Sequence, residues 1–384
     1  MSVQDLGISI VAKTPIWSGN QRTVDANLVR KANAYEHELL ANGGYWACSF
    51  DFAANKSDIE DWLQNGVGRE ITVRNEAQTI IWNGVVNVVN INMGALTLVR
   101  GPLLDITNQL QVIYQTVTYN TNPPVGGQRQ QGGLASNAAS QALYGTLHTT
   151  LSGGVGNSEE MDQFRDVYIA ERAWPATSIN FNLGNSGQPS IKLECVGFAQ
   201  LLDKQPYVQI INSGTENAST KMQNILTANA DGLYTDFTRI QANTLQVPQY
   251  ENDQNTAWSL IKDTVARGDT SDNRWIFRIE DERVPRYAPA PTTVEYTYRS
   301  ADQEPRLLDL GGSRVLPWNI RPGKWVMVTD LLIGGDLITP LAQDLRTTFI
   351  ESVRYSSVWG LQLNGSKETR LQQQMNKLGL GGTF

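Results

Sequence analysis

The sequence predicts a mainly β protein with added helices, an α+β fold. Two observations carry that expectation. Short runs of alternating apolar and polar residues recur through the first hundred positions, at the period of a strand with one buried face. Thirty-three glycines and abundant Asn, Gln and Thr favour strands and turns over long helices. At 384 residues the chain can build two or three domains, each with its own core.

The elements follow in order. Tyr45 to Phe52 alternates as a strand, and Ser57 to Leu63 opens with a capping residue and acids, as a short helix does. From Glu70 the strands come thickly: Ile71 to Val73, Thr79 to Trp82, Val85 to Ile91 and Ala95 to Val99. Turns are expected at Arg74 to Ala77, at Asn83-Gly84 and at Asn92 to Gly94, the Asn-Gly pair being a strong hairpin signal. Strands so joined close economically into a small barrel or sandwich. Gly101-Pro102 marks a corner before the strand Leu103 to Tyr114.

Asn122 to Gly133 is a polar Gly/Pro/Gln stretch and reads as a loop, with a helical stretch near Leu134 to Leu147. Ser158 to Arg172 is the clearest amphipathic helix: Ser caps it, Glu159 and Glu160 follow, and Met161, Phe164, Val167 and Tyr168 share a face. Pro175 stops it, and strands are expected over Ile179 to Leu183 and Ile191 to Phe198. Helices over Ala218 to Ala228 and Asp253 to Arg267, then a strand over Trp275 to Ile279, form a small α/β unit. The end returns to β, with strands at Thr293 to Tyr298, Lys324 to Leu332, Phe349 to Tyr355 and Trp359 to Leu363. A type II turn is expected at Arg321-Pro-Gly-Lys324, and beyond Gly365 a Gln- and Lys-rich tail with one weak helix, ending in the flexible Gly379 to Gly382. These shifts divide the chain at 1–117, 118–212, 213–290 and 291–384.

No site for chemistry stands out, and no catalytic residue, metal site or cofactor is expected. Asp58, Glu60 and Asp61 sit at a helix start, where acids favour the helix dipole. Asp281 and Glu282 lie between Arg278 and Arg283 and read as an exposed ion-pair turn. With only His37 and His148, imidazole metal sites are nearly excluded; His37 is expected solvated in a helical run from Lys31 to Leu40. Cys48 and Cys195 read as small buried apolar side chains. Trp62, Trp82, Trp258 and Trp275 fall on apolar faces and read as core, and Val112 is expected to point inward with Trp82. No apolar run could span a bilayer, and Met1 to Ile10 carries no secretion signal. A soluble product made in the cytoplasm, without a membrane anchor, is expected. The net charge of −7, with scattered Lys and Arg, argues against tight nucleic-acid binding.

One ordered series remains. Asn108, Val112 and Tyr114 lie on a strand; Ser140, Tyr144 and Gly145 follow; the helix from Ser158 comes next, and Val196-Gly197-Phe198 closes a later strand. Strand, loop, Tyr-Gly and helix in this order resemble the barrel-and-helix module of phage tail hub proteins, the baseplate hub and late-control tail protein family. The resemblance covers residues 70 to 205, and the later α/β unit by order of elements. It implies two tube-type β-barrel domains plus a small α/β domain, with residues 118–212 completing the second barrel-like unit. It implies a structural virion protein: a trimeric ring, assembled in the host cytoplasm, between the tail tube or distal tail protein and the tip or fibre proteins. DNA would pass through it transiently without specific binding. Pro123, Pro124, Gln128, Arg129, Gln130 and Gln131 are then candidates for an assembly loop. A distal tail or adaptor ring protein, a β-rich carbohydrate-binding receptor module and a β-rich hydrolase remain as alternatives.

Overall fold

A computed structural model describes residues 7–26, 28, 32–118, 125–181, 187–205, 214–228, 234, 236–249, 256–299, 306–329, 332–333, 336–337 and 347–366. The chain opens with β1 (Ser9–Lys13), β2 (Thr23–Asp25), β3 (Ala32–Leu40) and β4 (Gly43–Ala53), then α1 (Lys56–Asn65). Next come β5 (Glu70–Arg74), β6 (Ile80–Asn92), β7 (Leu96–Arg100), β8 (Gln109–Thr118), β9 (Val125–Gln131) and β10 (Ala135–Ser136). α2 (Ala138–Tyr144), β11 (His148–Gly156), α3 (Ser158–Arg172), β12 (Thr177–Phe181), β13 (Ser190–Gly197) and α4 (Phe198–Leu201) follow. Then come β14 (Thr215–Asn217), α5 (Ala218–Ala228), β15 (Gln246–Pro248), α6 (Ala257–Ala266), β16 (Trp275–Glu280) and β17 (Val284–Pro289). The last are β18 (Val294–Arg299), β19 (Arg306–Leu308), β20 (Trp325–Thr329), β21 (Leu332–Ile333), β22 (Asp336–Leu337), β23 (Thr347–Ser356) and β24 (Gly360–Ser366).

The fold is mainly β with helices, as the composition implies. One large sheet runs in the order β19-β18-β20-β23-β3-β4-β13-β6-β5-β1-β2, with β24, β16, β17, β7 and β12 attached. Among the described residues its pairings do not close into a barrel. The ladder joins strands far apart in sequence: β3 pairs with β23, and β4 pairs with β13 and, at Gly43 and Gly44, with β16. The core lies against this sheet and is aromatic at its centre, with Tyr35, Phe50, Phe52, Trp82, Phe198 and Phe277 all fully buried. Phe52 stacks on Phe50 and meets the Trp62 ring edge-on. The four tryptophans read as core, Trp62, Trp82, Trp258 and Trp275, are all buried.

The helices start where side chains satisfy their free N–H groups. Asn55 and Asp58 form a reciprocal capping box on α1, and Asn157 and Glu160 form another on α3. The α3 cap is therefore Asn157 rather than Ser158. Gly323 has φ +76° inside the 321–324 turn, as a type II turn requires.

Four local expectations are corrected. Asn83-Gly84 is no hairpin turn, because β6 runs straight through it. Asn83 is buried and its amide donates to Glu70, Thr72 and the Ile71 carbonyl. Gly84 is needed for close approach, since a Cβ there would sit 2.2 Å from the Val196 carbonyl oxygen. His37 is buried on strand β3 rather than solvated on a helix. The alternation of Tyr35, His37 and Leu39 against Glu36 and Glu38 has the strand period.

The third correction concerns 125–131, which is strand β9 despite its glycines. It pairs antiparallel with β8 from Ile113↔Gln131 to Thr118↔Val125. Gly127 fits because a Cβ there would meet the Thr116 hydroxyl at 2.1 Å. The fourth is the face of α3. Ile169 is its buried residue, while Phe164 and Val167 are exposed (46% and 58%). Cys48 and Cys195 are buried as expected and lie directly opposite each other on β4 and β13, both as free thiols.

Candidate assembly interface

The second sheet is built around β8. On one side β11 runs parallel to it; on the other, β10 and then β9 run antiparallel. Because side chains alternate along a strand, Leu110, Val112 and Tyr114 point to one face. α3 covers that face with Ile169 and Ala173, forming a small separate core with Leu151, Met161 and Tyr168 packed at its margin. Val112 is therefore inward-facing, as the sequence implied, and Tyr114 is buried beside it.

The opposite face has a different chemistry. Gln109, Gln111, Ile113 and Gln115 of β8 share it with Arg129 and Gln131 of β9 and with His148, Thr150, Ser152 and Val155 of β11, by cross-strand register. Gln115 donates to the Gly127 carbonyl, and His148 is bonded at both ring nitrogens, to Gln109 and Thr150. Burial lowers the His148 pKa to about 4, so this histidine is neutral at pH 7. Arg129 is the only formal charge among the residues just named. The β9 residues Gln128, Arg129, Gln130 and Gln131 are all exposed. Pro123 and Pro124 lie outside the described residues.

The base of the sheet is locked by Asn108, which is completely buried. Its Nδ2 donates to the Gly145 carbonyl at 2.7 Å and to Ser140 Oγ at 3.3 Å, while its Oδ1 accepts from the Leu147 N–H at 2.8 Å. Its own backbone N–H donates to the Leu147 carbonyl, and its carbonyl accepts from Asn137. Ser140 Oγ passes the connection on to the Ala173 carbonyl at the end of α3. A buried amide with both N–H groups and its oxygen engaged is what a low-dielectric interior requires. Asn108, Ser140 and Gly145, scattered over the sequence, thus meet in one node.

Tyr144 and Gly145 tie this node to the rest of the chain. Gly145 has φ +71°, and a Cβ there would meet the Trp17 ring 2.4 Å away. Tyr144 is buried, edge-on to Trp174 at 6.3 Å, and packs beneath Gly68. Burial raises its phenol pKa, with Arg100 opposing. Trp17 and Leu147 were invisible to sequence reasoning, since their roles arise only when distant segments meet.

Two edges of this sheet are unpaired among the described residues: β9 and β11 each have β8 as their sole ladder partner. Among the described residues β12 pairs only with β7, and it exposes Ile179 and Phe181 (54% and 75%).

The chain matches no family model and no curated protein sequence. Its similarities are to solved structures. The tail protein from Neisseria meningitidis MC58 aligns over 96% of this chain and 98% of its own, at 9% identity and TM-score 0.41. The prophage MuSo2 43 kDa tail protein from Shewanella oneidensis aligns over 95% and 98%, at 8% identity and TM-score 0.41. The prophage tail protein gp18 from Listeria monocytogenes EGD-e aligns over 97% and 99%, at 8% identity and TM-score 0.38.

Among the described residues, no group of three or more His, Cys, Asp or Glu side chains could hold a metal ion. No helix among them is long and apolar enough to cross a membrane. His37 has its pKa lowered to about 3 by burial and by Arg321, and its Nδ1 is occupied by the Tyr35 hydroxyl. Asp61 is held below the ordinary carboxylate range mainly by the Arg69 guanidinium, 2.7 Å away, a structural ion pair beside α1.

Proposed function

We propose that this chain is a structural protein of a phage tail, forming a hub ring that joins the distal end of the tail tube to the tip or fibre apparatus. The observation that carries this reading is the sheet β9-β8-β11, with an unpaired edge on each side among the described residues and one mainly polar face. An unpaired strand edge is a row of free N–H and C=O groups that another chain can continue. Repeated copies joined through unlike edges close into a ring when the rotation allows. The exposed Ile179 and Phe181 on β12, and Phe164 and Val167 on α3, offer apolar area for such contacts.

The polar face suits the inside of a DNA passage. Tight phosphate binding needs clustered Lys and Arg, and this face carries mainly glutamine, threonine and serine around one arginine, with a neutral histidine and the apolar Ile113 and Val155. A polyanion would be neither held nor repelled strongly there. In this reading the ring is a trimer at the tail tip, with the tail tube or distal tail protein above and tip or fibre proteins below. The ring has a scaffolding role and no turnover. Particle images and native mass of the purified protein test it. A three-fold ring with an open centre is expected; a six-fold ring would assign an adaptor instead, and a persistent monomer at high concentration would overturn the reading.

A further inference from the structure

A second feature stands apart from the assembly sheet. A cleft of about 260 Å³ opens where four segments meet: the β3–β4 hairpin, the start of β6, the β16–β17 hairpin, and the turn before β20. Arg278, Arg286, Arg321 and Lys324 line it, against the two carboxylates of Glu280 and Asp281. The lining therefore holds an excess of two positive charges. The outer partners do not change that excess, because Arg239 adds a cation on Glu280 and Glu295 adds an anion on Lys324.

The two carboxylates are already engaged. Glu280 is shared by Arg278, Arg239 and Arg286, and Asp281 accepts from the Tyr45 hydroxyl. Arg321 gives one N–H from each terminal nitrogen to the carbonyls of Ile81 and Ile80 and keeps the other donors of its fork. Arg278 Nε lies 2.7 Å from Glu280, yet the contact is off line, and the buried Nε–H has no well-aligned acceptor. Burial pushes the Arg278 pKa down, Glu280 opposes, and the neighbouring cations Arg286 and Arg321 push it down further. Converging like charges in a recess are unfavourable on their own and become favourable once an anion sits between them.

We propose that this cleft binds a doubly charged oxyanion of the phosphate class, gripped by Arg278, Arg286, Arg321 and Lys324. The charge excess of two matches a phosphate dianion, and planar guanidinium forks match its oxygens. Arg286 stands at the rim, 41% exposed and only loosely paired at 3.7 Å, so it is free to close on a ligand.

Thermal melts of the full chain, titrated with inorganic phosphate against chloride at constant ionic strength, test the proposal. A saturable rise in Tm with phosphate is expected, and Arg286→Gln should keep the fold while weakening the apparent affinity roughly tenfold. Succinate, a dicarboxylate of equal charge, should bind more weakly than phosphate. No saturable rise, an equal response in Arg286→Gln, or a stronger response to succinate would each overturn it. Either of the first two results would mark the cluster as an internal ion-pair network, and the third would assign it to carboxylates instead of phosphate.

Discussion

The side chain of Asn108 donates a 2.7 Å hydrogen bond to the carbonyl of Gly145, thirty-seven positions further along the chain. Through this bond and its neighbours, the start of β8 is fastened to the end of α2, the start of β11 and the C-terminus of α3.

Asn108→Ala should therefore destabilise the protein well beyond the loss of one hydrogen bond. It leaves the Leu147 N–H and the Gly145 carbonyl without their side-chain partner in the interior. Each unsatisfied buried group costs about 1–3 kcal/mol. Denaturant unfolding should show a loss of roughly 2–6 kcal/mol on that basis. A variant within experimental error of the native midpoint would mean that water enters and replaces the amide.

Gly145→Ala tests the other end of the bond. Positive φ and the Trp17 ring both oppose a side chain there, whereas Gly153, at φ +100°, has open space around it. Both alanine variants carry backbone strain of about 1–3 kcal/mol. Gly145→Ala should lose more, and the double variant with Trp17→Ala should recover the steric part of the added loss. Equal melting temperatures for the two single variants would show that Trp17 swings aside freely.

Trp82→Ala should cost roughly 3–5 kcal/mol, the range for deleting a large buried aromatic. Its ring is fully buried beside Gly84. A soluble variant with unchanged melting temperature would contradict the placement of β6 at the centre of the core.

The two histidines predict an acid limb in stability. Burial holds His148 at about 4 and His37 at about 3, both below the ordinary histidine value of 6.5. The unfolded chain therefore binds protons that the folded chain refuses. Stability contributed by the neutral imidazoles is complete above about pH 6.5 and is lost as pH falls towards 4 for His148 and 3 for His37. Urea midpoints measured across this range should fall with pH, and His148→Gln should flatten the part between 6.5 and 4. An unchanged slope in that variant would place the acid sensitivity in His37 and the carboxylates.

Replacing the stretch from Asn122 to Gly133 by four Gly/Ser residues should leave a folded subunit that no longer assembles. β9 contributes exposed side chains and one sheet edge, and little of its surface is buried in the described fold. Circular dichroism and native mass separate the outcomes. Rings of normal size from the shortened chain would remove β9 from the assembly surface.

Much of this was legible locally. Asn55 with Asp58 and Asn157 with Glu160 are capping pairs at fixed spacing, so helix starts follow from chemistry within four residues. Met222, Ile225 and Leu226 on α5, and Trp258, Ile261 and Val265 on α6, are buried as the helical period requires. The β class, the tryptophan core and the association of Asn108 with a strand start are likewise properties of short windows. Other features depend on what arrives from elsewhere. Asn83-Gly84 has the chemistry of a turn, yet β13 supplies the Val196 carbonyl that demands a glycine in mid-strand. Phe164 and Val167 share an apolar stripe, but β8 lies on the Ile169 side and leaves them outside. Gln128 to Gln131 has no apolar pattern of its own and becomes a strand because β8 offers an edge to pair with. Cys48 faces Cys195, and four cations crowd one cleft, because strand register brings together positions whose separation in sequence carries no energy term. Local sequence set the conformations each segment prefers; long-range pairing, with its close backbone approaches and shared burial, selected among them.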